Sequence, residues 1–285
     1  MLNAKYYLDR AQSEHFAIGA FNAANIETLK AIIGAAKTTN APVIIEASHG
    51  EIEFIGGQNF VDIIRNARQE YNLPIFTNLD HAPNVETTLQ GIKWGFDLIH
   101  FNGSSLPYTE NVSKTQEVVL MAHQQDRLVE AELDAITGSS SLHTLTAEEQ
   151  LATAKLTDPL QAADFVTATG IDTLAASFGS VHGLYATPKN LDIDRLKEIH
   201  TKTSCYLSLH GGSDMPEDQI KQAIENGVVK INVNSELRLA FRTTLEKTLK
   251  ENSELAIYKI MPPVIAAVQR IVEDKINLFG CTDKA

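Results

Sequence analysis

The sequence predicts a (β/α)8 barrel that forms one domain over residues 1–285. Eight short apolar, strand-like runs alternate with polar loops and amphipathic helical stretches, which is the pattern of a parallel barrel. An open doubly wound sheet is the alternative, but no GxGxxG turn follows the first strand. The predicted strands are 16–21, 42–47, 74–79, 97–101, 127–133, 171–177, 204–209 and 228–233.

Helical segments occupy the gaps between these strands, and their ends carry recognisable signals. Asp158 followed by Pro159 is typical of an N-cap and first helical residue. Asn226 followed by Gly227 is typical of a helix C-terminus. The predicted helices are 26–38, 84–94, 158–169, 215–226 and one that begins near residue 236.

Composition excludes two classes of partner. A net charge of −12 argues against binding to nucleic acid or to anionic membranes, which need basic surfaces. Cys205 and Cys281 are too few for a disulfide framework. Because no apolar run reaches the roughly 20 residues of a membrane span, and the N-terminus lacks a signal-peptide pattern, we expect a cytoplasmic protein.

Polar residues end nearly every predicted strand, and in such a barrel the carboxyl ends of the strands carry function. Three histidines at this rim match the ligand set of a catalytic zinc ion, which keeps one position open. Asp80 beside His81 is a candidate proton donor. Each motif alone is also typical of an ordinary polar loop, so the prediction depends on their convergence. The rim residues are Asn22, Ser48, His49, Asp80, His81, Asn102, Glu132, Ser177, His182, His210 and Asn232.

The loops after the seventh and eighth strands predict a phosphate site. His210 leads into Gly211, Gly212 and Ser213, and the last strand runs through Asn232 into a helix near residue 236. Loops at these positions of a barrel, together with a helix N-terminus, commonly bind phosphate. In a purely structural interpretation, Asn234 or Ser235 is simply the N-cap of that helix.

The chain resembles the class II, zinc-dependent ketose-bisphosphate aldolases, the family of fructose-bisphosphate and tagatose-bisphosphate aldolases. The resemblance covers almost the whole chain and makes residues 1–285 one aldolase-like barrel domain. The stretches that carry it are 19–22 (GAFN), 78–81 (NLDH), 102–107 (NGSSLP), 129–133 (VEAEL), 179–185 (GSVHGLY), 209–213 (LHGGS) and 230–233 (KINV).

The resemblance implies a role for each matching residue. One Zn²⁺ per subunit would be bound by His81, His182 and His210, with Glu132 near the metal at a second or resting position. Asp80 would be the acid or base at the oxygen of the aldehyde-derived half. A monovalent cation near the phosphate is common in such enzymes, and the family forms homodimers or homotetramers. The implied substrate-binding residues are Asn22, Ser48, Gly183, Gly211, Gly212, Ser213, Asn232, Val233, Asn234 and Ser235.

The implied reaction is cleavage of a phosphorylated ketose, such as fructose- or tagatose-1,6-bisphosphate, to dihydroxyacetone phosphate and an aldehyde. The loop after the fifth strand departs from the family, because the glutamate that removes a proton from dihydroxyacetone phosphate falls near Ser140. Serine is a poor base at its normal pKa, and His143, Glu148 or Glu149 are candidate replacements. Further departures are Asn102 for aspartate, Tyr258 for an arginine that reaches the second phosphate, and Asp214 for glycine.

These departures leave two other interpretations open. The protein could be a non-catalytic or divergent homologue that binds metal and a sugar phosphate. It could also be a barrel metallohydrolase in which Asp80 activates a zinc-bound water.

Overall fold

Eight parallel strands close into a barrel in the computed structural model, which describes residues 3–285. This confirms the predicted (β/α)8 barrel. The barrel strands are β1 (Ile18–Asn22), β2 (Val43–Ser48), β3 (Ile75–Ala82), β4 (Leu98–Phe101), β5 (Leu128–Glu132), β7 (Thr173–Ala175), β9 (Tyr206–Leu209) and β10 (Val228–Val233), in that order around the barrel.

Two further strands lie outside the barrel and pair with each other in parallel. They are β6 (Gly138–Leu142), which follows β5, and β8 (His182–Leu184), which follows β7. Neither carries the apolar alternation of a strand, so the sequence did not predict them. Their pairing fixes the loop after β5 against the segment that contains His182.

Helices surround the barrel and cover its amino-terminal end. They are α1 (Ala4–Glu14), α2 (Ile26–Thr39), α3 (His49–Ile55), α4 (Gly57–Tyr71), α5 (Val85–Trp94), α6 (Tyr108–His123), α7 (Ala147–Leu151), α8 (Pro159–Thr169), α9 (Ile193–Lys202), α10 (Glu217–Glu225), α11 (Ser235–Glu251), α12 (Ile257–Ile260) and α13 (Pro262–Leu278).

The predicted helices are present, with ends shifted by at most two residues. Asn84 caps α5 by accepting from the Thr87 N–H, and Asp158 caps α8 as its sequence predicts. Asn234 is the N-cap of α11, but its side chain makes no capping hydrogen bond. Within residues 3–285, no helix has the length and apolar character that crossing a membrane requires.

The interior of the barrel holds a buried ionic layer beneath the rim. Lys230 Nζ lies 2.8 Å from Glu130 Oε2 and 3.5 Å from Glu46 Oε2. Ser208 donates to Glu130 at 2.6 Å, and Asn78 donates to Glu46 at 3.0 Å. Buried charges are tolerable only when they are paired and hydrogen-bonded. This layer therefore forms a fixed polar floor for the side chains one position closer to the rim.

Candidate active site

A reversal of the backbone brings Asp80 and His81 to the same end of the barrel. Neighbouring residues of a strand normally point to opposite faces. His81 has a φ of 48°, and the pairing of β3 with β4 shifts register between Leu79 and Ala82. A histidine in the left-handed region costs of order 1–3 kcal/mol and persists only where its surroundings enforce it. This left-handed conformation lets the Asp80 and His81 side chains both reach the rim.

Three imidazoles meet at this rim. The Nε2 atom of His81 lies 3.1 Å from Nδ1 of His210. The His182 ring centroid is 5.2 Å from that of His81 and 5.7 Å from that of His210. The structure thus brings together three side chains that are separated by 101 and 28 positions in the chain.

In each of the three histidines, one ring nitrogen points away from the cluster, and that nitrogen faces an oxygen acceptor. Histidines that ligate metals almost always have their second nitrogen held in this way, which orients the ring and leaves the other nitrogen free to coordinate. The pairs are His81 Nδ1 with Glu132 Oε1 (2.9 Å), His210 Nε2 with Glu130 Oε1 (2.9 Å) and His182 Nδ1 with the Ile136 carbonyl (3.1 Å). His81 Nδ1 also lies 3.1 Å from the Asn102 amide nitrogen.

The protonation states of these rings also suit a metal. Burial lowers the pKa of His182 to about 3 and that of His210 to about 4, so both are neutral near pH 7. Burial lowers the pKa of His81 as well, but Asp80 and Glu132 outweigh it and raise the pKa above its ordinary value. Since ligating imidazole is neutral, metal binding at His81 would release a proton.

A zinc ion fits the spacing and chemistry of this cluster. Two nitrogen ligands of a tetrahedral Zn²⁺, each 2.0–2.1 Å from the ion, are about 3.3 Å apart. The His81 and His210 nitrogens, at 3.1 Å, are close to that separation. Glu132 Oε1 is buried beside His81 Nδ1 (2.9 Å) and His100 Nε2 (3.4 Å), and neither contact is a well-aligned hydrogen bond within residues 3–285. Its predicted role as a metal ligand stays a prediction.

His100 is a fourth imidazole of the cluster, which sequence reasoning missed. It is fully buried, with Nδ1 3.3 Å from Asp80 Oδ1 and Nε2 3.4 Å from Glu132 Oε1. Asp80, His81, His100 and His210 offer donor atoms that all lie within 4.8 Å of one another. The residues therefore form a second possible ligand set that contains His100 instead of His182.

Geometry favours the set with His182, because both ring nitrogens of His100 already lie beside carboxylates, Nδ1 at 3.3 Å from Asp80 and Nε2 at 3.4 Å from Glu132. Burial lowers the pKa of His100, but Glu130, Asp80 and Glu132 outweigh it and raise the pKa to about 10. The His81 backbone N–H also donates to His100 Nδ1 at 3.2 Å. His100 is therefore held by protein groups beside the cluster.

Asp80 stands beside the imidazole cluster with its carboxylate held by amides. Its Oδ2 accepts from Asn22 Nδ2 at 3.3 Å, and its Oδ1 accepts from Asn232 Nδ2 at 3.4 Å. Burial raises the pKa of Asp80, but the neighbouring imidazoles, His81 first, hold it well below the ordinary value. Asp80 is therefore ionised and can accept a proton from a group at the rim.

The loop after β9 has the close packing expected of a phosphate site. Gly211 has a φ of 69°, and a Cβ there would overlap the Val181 carbonyl oxygen, so only glycine fits. The Ser213 hydroxyl accepts from the Asn234 N–H at 3.2 Å, which ties the loop to the start of α11. Backbone N–H groups and a helix N-terminus thus meet beside His210.

Most of the predicted site residues line one cleft of about 210 Å³ at the carboxyl end of the barrel. Five predicted site residues are not among those that line it, namely Glu132, Gly183, Gly212, Val233 and Ser235. The predicted residues that line it are Asn22, Ser48, Asp80, His81, His182, His210, Gly211, Ser213, Asn232 and Asn234.

The loop after β5 brings Ser140, but not the other candidate bases, to the lining of this cleft. His143 stacks on Tyr185 with ring centroids 4.5 Å apart, and its Nε2 donates to the Ser139 carbonyl. Glu148 accepts from the Thr187 hydroxyl at 2.6 Å, and Glu149 completes the capping box of α7. These three side chains are therefore engaged elsewhere in this conformation.

Arg238 lines the cleft and was also missed by the sequence analysis. Its Nη2 lies 2.7 Å from Glu51 Oε1, and its Nη1 donates to the Ser140 carbonyl at 3.4 Å. Glu51 in turn accepts from the Ser48 N–H and from Asn22. This chain of contacts connects α11, α3 and the loop after β5.

A simple signal could have found some of the missed residues. His100 lies two positions before Asn102, and Glu130 two positions before Glu132, so the period-two alternation of a strand places each pair on one face. Arg238 has no such signal, because its place at the cleft depends on how α11 packs.

Comparisons with known proteins agree with this geometry. A family model described as fructose-bisphosphate aldolase class-II matches residues 2–284. The chain is 30% identical to the YdjI aldolase from Escherichia coli K12, with a TM-score of 0.83 over 99% of this chain and 98% of that one. It is 29% identical to a putative fructose-1,6-biphosphate aldolase from Coccidioides immitis, with a TM-score of 0.83 and coverage of 99% and 98%.

A third structure shares the fold at lower identity. The fructose-bisphosphate aldolase from Campylobacter jejuni is 22% identical, with a TM-score of 0.81 over 99% of this chain and 95% of that one. The family match spans nearly the whole chain and agrees with the resemblance read from its motifs. The chain belongs to the class II fructose-bisphosphate aldolase family.

Proposed function

We propose that this protein is a zinc-dependent aldolase that cleaves a phosphorylated ketose to dihydroxyacetone phosphate and an aldehyde, or runs the reverse condensation. One observation carries the proposal. His81, His182 and His210 converge with their outer nitrogens held by oxygen atoms, next to an ionised Asp80. This is the arrangement that an open zinc site with an adjacent acid or base requires.

When bound by these three histidines, zinc would supply Lewis-acid polarisation of the ketose carbonyl. Asp80 takes the proton from the hydroxyl oxygen of the aldehyde-derived half during cleavage and returns it during condensation. Asn22 and Asn232 hold the two Asp80 oxygens in place for this transfer. A carboxylate held in this way retains its orientation as the proton moves, which is the condition for efficient general acid–base catalysis.

The phosphate of dihydroxyacetone phosphate would bind between Gly211, Ser213 and the start of α11 at Asn234. The other end of the ketose would lie toward Ser140 and Arg238, which also line the cleft. A fructose- or tagatose-1,6-bisphosphate-like substrate is our proposal for this site, and Arg238 is the arginine that lines the cleft. Its guanidinium fork suits an anionic group there.

A second candidate function is that of a homologue that binds metal and a sugar phosphate without turnover. The engagement of His143, Glu148 and Glu149 outside the cleft favours this alternative. In that case the serine-containing loop holds the site but supplies no base.

Proton exchange separates these functions. The zinc-loaded protein is mixed with dihydroxyacetone phosphate in D₂O, and loss of the hydroxymethyl C–H signal is followed by NMR. Exchange well above a control with the same total zinc and no protein would support the aldolase. A His210→Ala variant is the matched control, and it should exchange no faster than free zinc. Absence of exchange while zinc and ligand are both bound would favour the binding protein.

We also propose a homodimer or homotetramer. Apolar side chains at the end of α11 and along α12 are exposed in the single chain, which supports an interface there. They are Leu249, Leu255, Ile257 and Tyr258. Light scattering at micromolar concentration tests this proposal, and a mass near that of one 31.3 kDa chain would contradict it.

A further inference from the structure

Lys189 is a buried lysine beneath the phosphate loop, and the proposed reaction does not use it directly. Its side chain is 1% exposed, although lysine is almost never fully buried unless it is paired. Its Nζ donates to the Gly211 carbonyl at 2.9 Å and to the Ser213 carbonyl at 2.6 Å. Both partners are backbone oxygens of the predicted phosphate loop, and neither is an acid.

The charge of this lysine is preserved despite its burial. Burial lowers the pKa of Lys189 to about 8, while Asp214 and Glu236 act in the opposite direction. The side chain is therefore still mostly an ammonium ion near pH 7. Its positive charge sits behind the loop, where a bound phosphate on the cleft side would feel it through a medium of low dielectric constant.

The contacts of Lys189 also fix the geometry of the loop. The Gly212 N–H donates to the Asn232 carbonyl at 3.0 Å, and the Asp214 N–H donates to the Glu236 carboxylate. The two peptide units whose carbonyls contact Lys189 are thus held at both ends. The peptide between them, which carries the Ser213 N–H, is held in position by its neighbours.

We propose that the Lys189 ammonium is a tethered cation that takes the place of a free monovalent cation at the phosphate loop. Free cations bind to proteins through oxygen ligands, which include backbone carbonyls. At this loop, the Gly211 and Ser213 carbonyls already contact the Lys189 ammonium. Because this cation is part of the chain, its presence does not depend on the salt in solution. Lys189 is a positioning residue, because it reaches the phosphate only through the loop.

The proposal rests on the proposed function only in requiring that dihydroxyacetone phosphate binds at this loop. The test therefore measures binding by isothermal titration calorimetry with zinc-loaded protein and no aldehyde. Titrations are made in potassium, sodium and tetramethylammonium chloride at equal ionic strength. Tetramethylammonium is too large to occupy a carbonyl site. Wild-type affinity should vary less than about twofold among the three salts.

Two substitutions at Lys189 separate a cation role from simple packing. Lys189→Ala leaves space beside the carbonyls, whereas Lys189→Met fills it with an uncharged side chain. Both should weaken binding in tetramethylammonium chloride about 10- to 100-fold, the range for a lost charge-assisted hydrogen bond. Potassium should raise the affinity of Lys189→Ala at least tenfold above its value in tetramethylammonium chloride, and should not raise that of Lys189→Met. Lys275→Met controls for loss of a neighbouring positive charge, since Lys275 contacts Glu236 and not the loop carbonyls.

Three results would contradict either the role of Lys189 or the proposed function. Wild-type affinity that rises tenfold with potassium would mean that a free cation is used, and would overturn the inference even if Lys189→Ala failed to fold. Weakened binding in Lys189→Ala without rescue by any small cation would make Lys189 a packing residue only. A wild-type protein that binds zinc but no dihydroxyacetone phosphate would instead reject the proposed function.

Discussion

The two possible ligand sets differ in a single imidazole, and a pair of alanine variants distinguishes them. His182 completes one set and His100 the other, while His81 and His210 belong to both. We expect His182→Ala to lose most of its affinity for zinc and His100→Ala to retain it. The variants are matched, because each removes one imidazole from the same cluster.

The expected magnitudes follow from the contacts. Structural zinc sites with four ligands bind with apparent free energies of about 10–16 kcal/mol, or about 2.5–4 kcal/mol for each ligand. Loss of His182 should therefore weaken zinc binding about 100- to 1,000-fold. Loss of His100 removes a buried ring that lies 3.3 Å from Asp80 Oδ1 and 3.4 Å from Glu132 Oε1. Breaking such a buried pairing costs about 3–5 kcal/mol of stability, so this variant should be less stable and yet bind zinc within about tenfold of the wild type.

The assay is competition for zinc with a chromogenic chelator of known affinity, together with urea unfolding of the metal-free proteins. If His100→Ala does not fold, His100→Gln replaces it, since an amide can still hydrogen-bond to the carboxylates. Wild-type zinc affinity in His182→Ala, with a 100-fold loss in the His100 variant, would refute the reasoning. It would show that the buried ring, and not the His182 ring, coordinates the metal.

Three other predictions concern the acid, the phosphate loop and the ionic floor. Asp80→Asn should lower kcat about 100- to 10,000-fold at unchanged zinc content, and kinetics with metal analysis that show near-normal turnover would contradict the role of Asp80. Gly170→Ala should lower the free energy of unfolding in urea by about 1 kcal/mol, and Gly211→Ala should lower it by more. Only Gly211→Ala should weaken phosphate binding. The two glycines share a φ near 70°, but a Cβ at Gly170 meets open space and one at Gly211 meets Val181, so equal losses would argue against close packing of the loop. Burial raises the pKa of Glu46 to about 8 from an ordinary value of 4.5, so the folded state holds more protons between these values and the free energy of unfolding should fall as pH rises through that window. Glu46→Gln, measured by thermal melts in EDTA, should show a shallower fall, and an identical slope would contradict a protonated Glu46.

Much of the fold was predictable because its signals are local. Each of the eight barrel strands overlaps a predicted apolar run, and caps such as Asp158 mark where helices begin. The rule that strand ends carry function then selected the residues that meet in the cleft. Gly211 shows the limit of that rule. The sequence indicates a loop there, but the close approach of Val181, which excludes any side chain, depends on a segment 30 residues away.

The sequence by itself determined the barrel, the convergence of His81, His182 and His210, and the family, because these follow from strand periodicity and from motifs along the chain. Only the tertiary structure decided which nitrogen of each ring is free and how many imidazoles share the cluster. It also decided that the Lys189 side chain contacts the Gly211 and Ser213 carbonyls from beneath their loop. The physical reason is the same in each case. A ring orientation or a buried charge is set by partners from distant strands, whose distances depend on barrel register and packing and leave no local pattern in the chain.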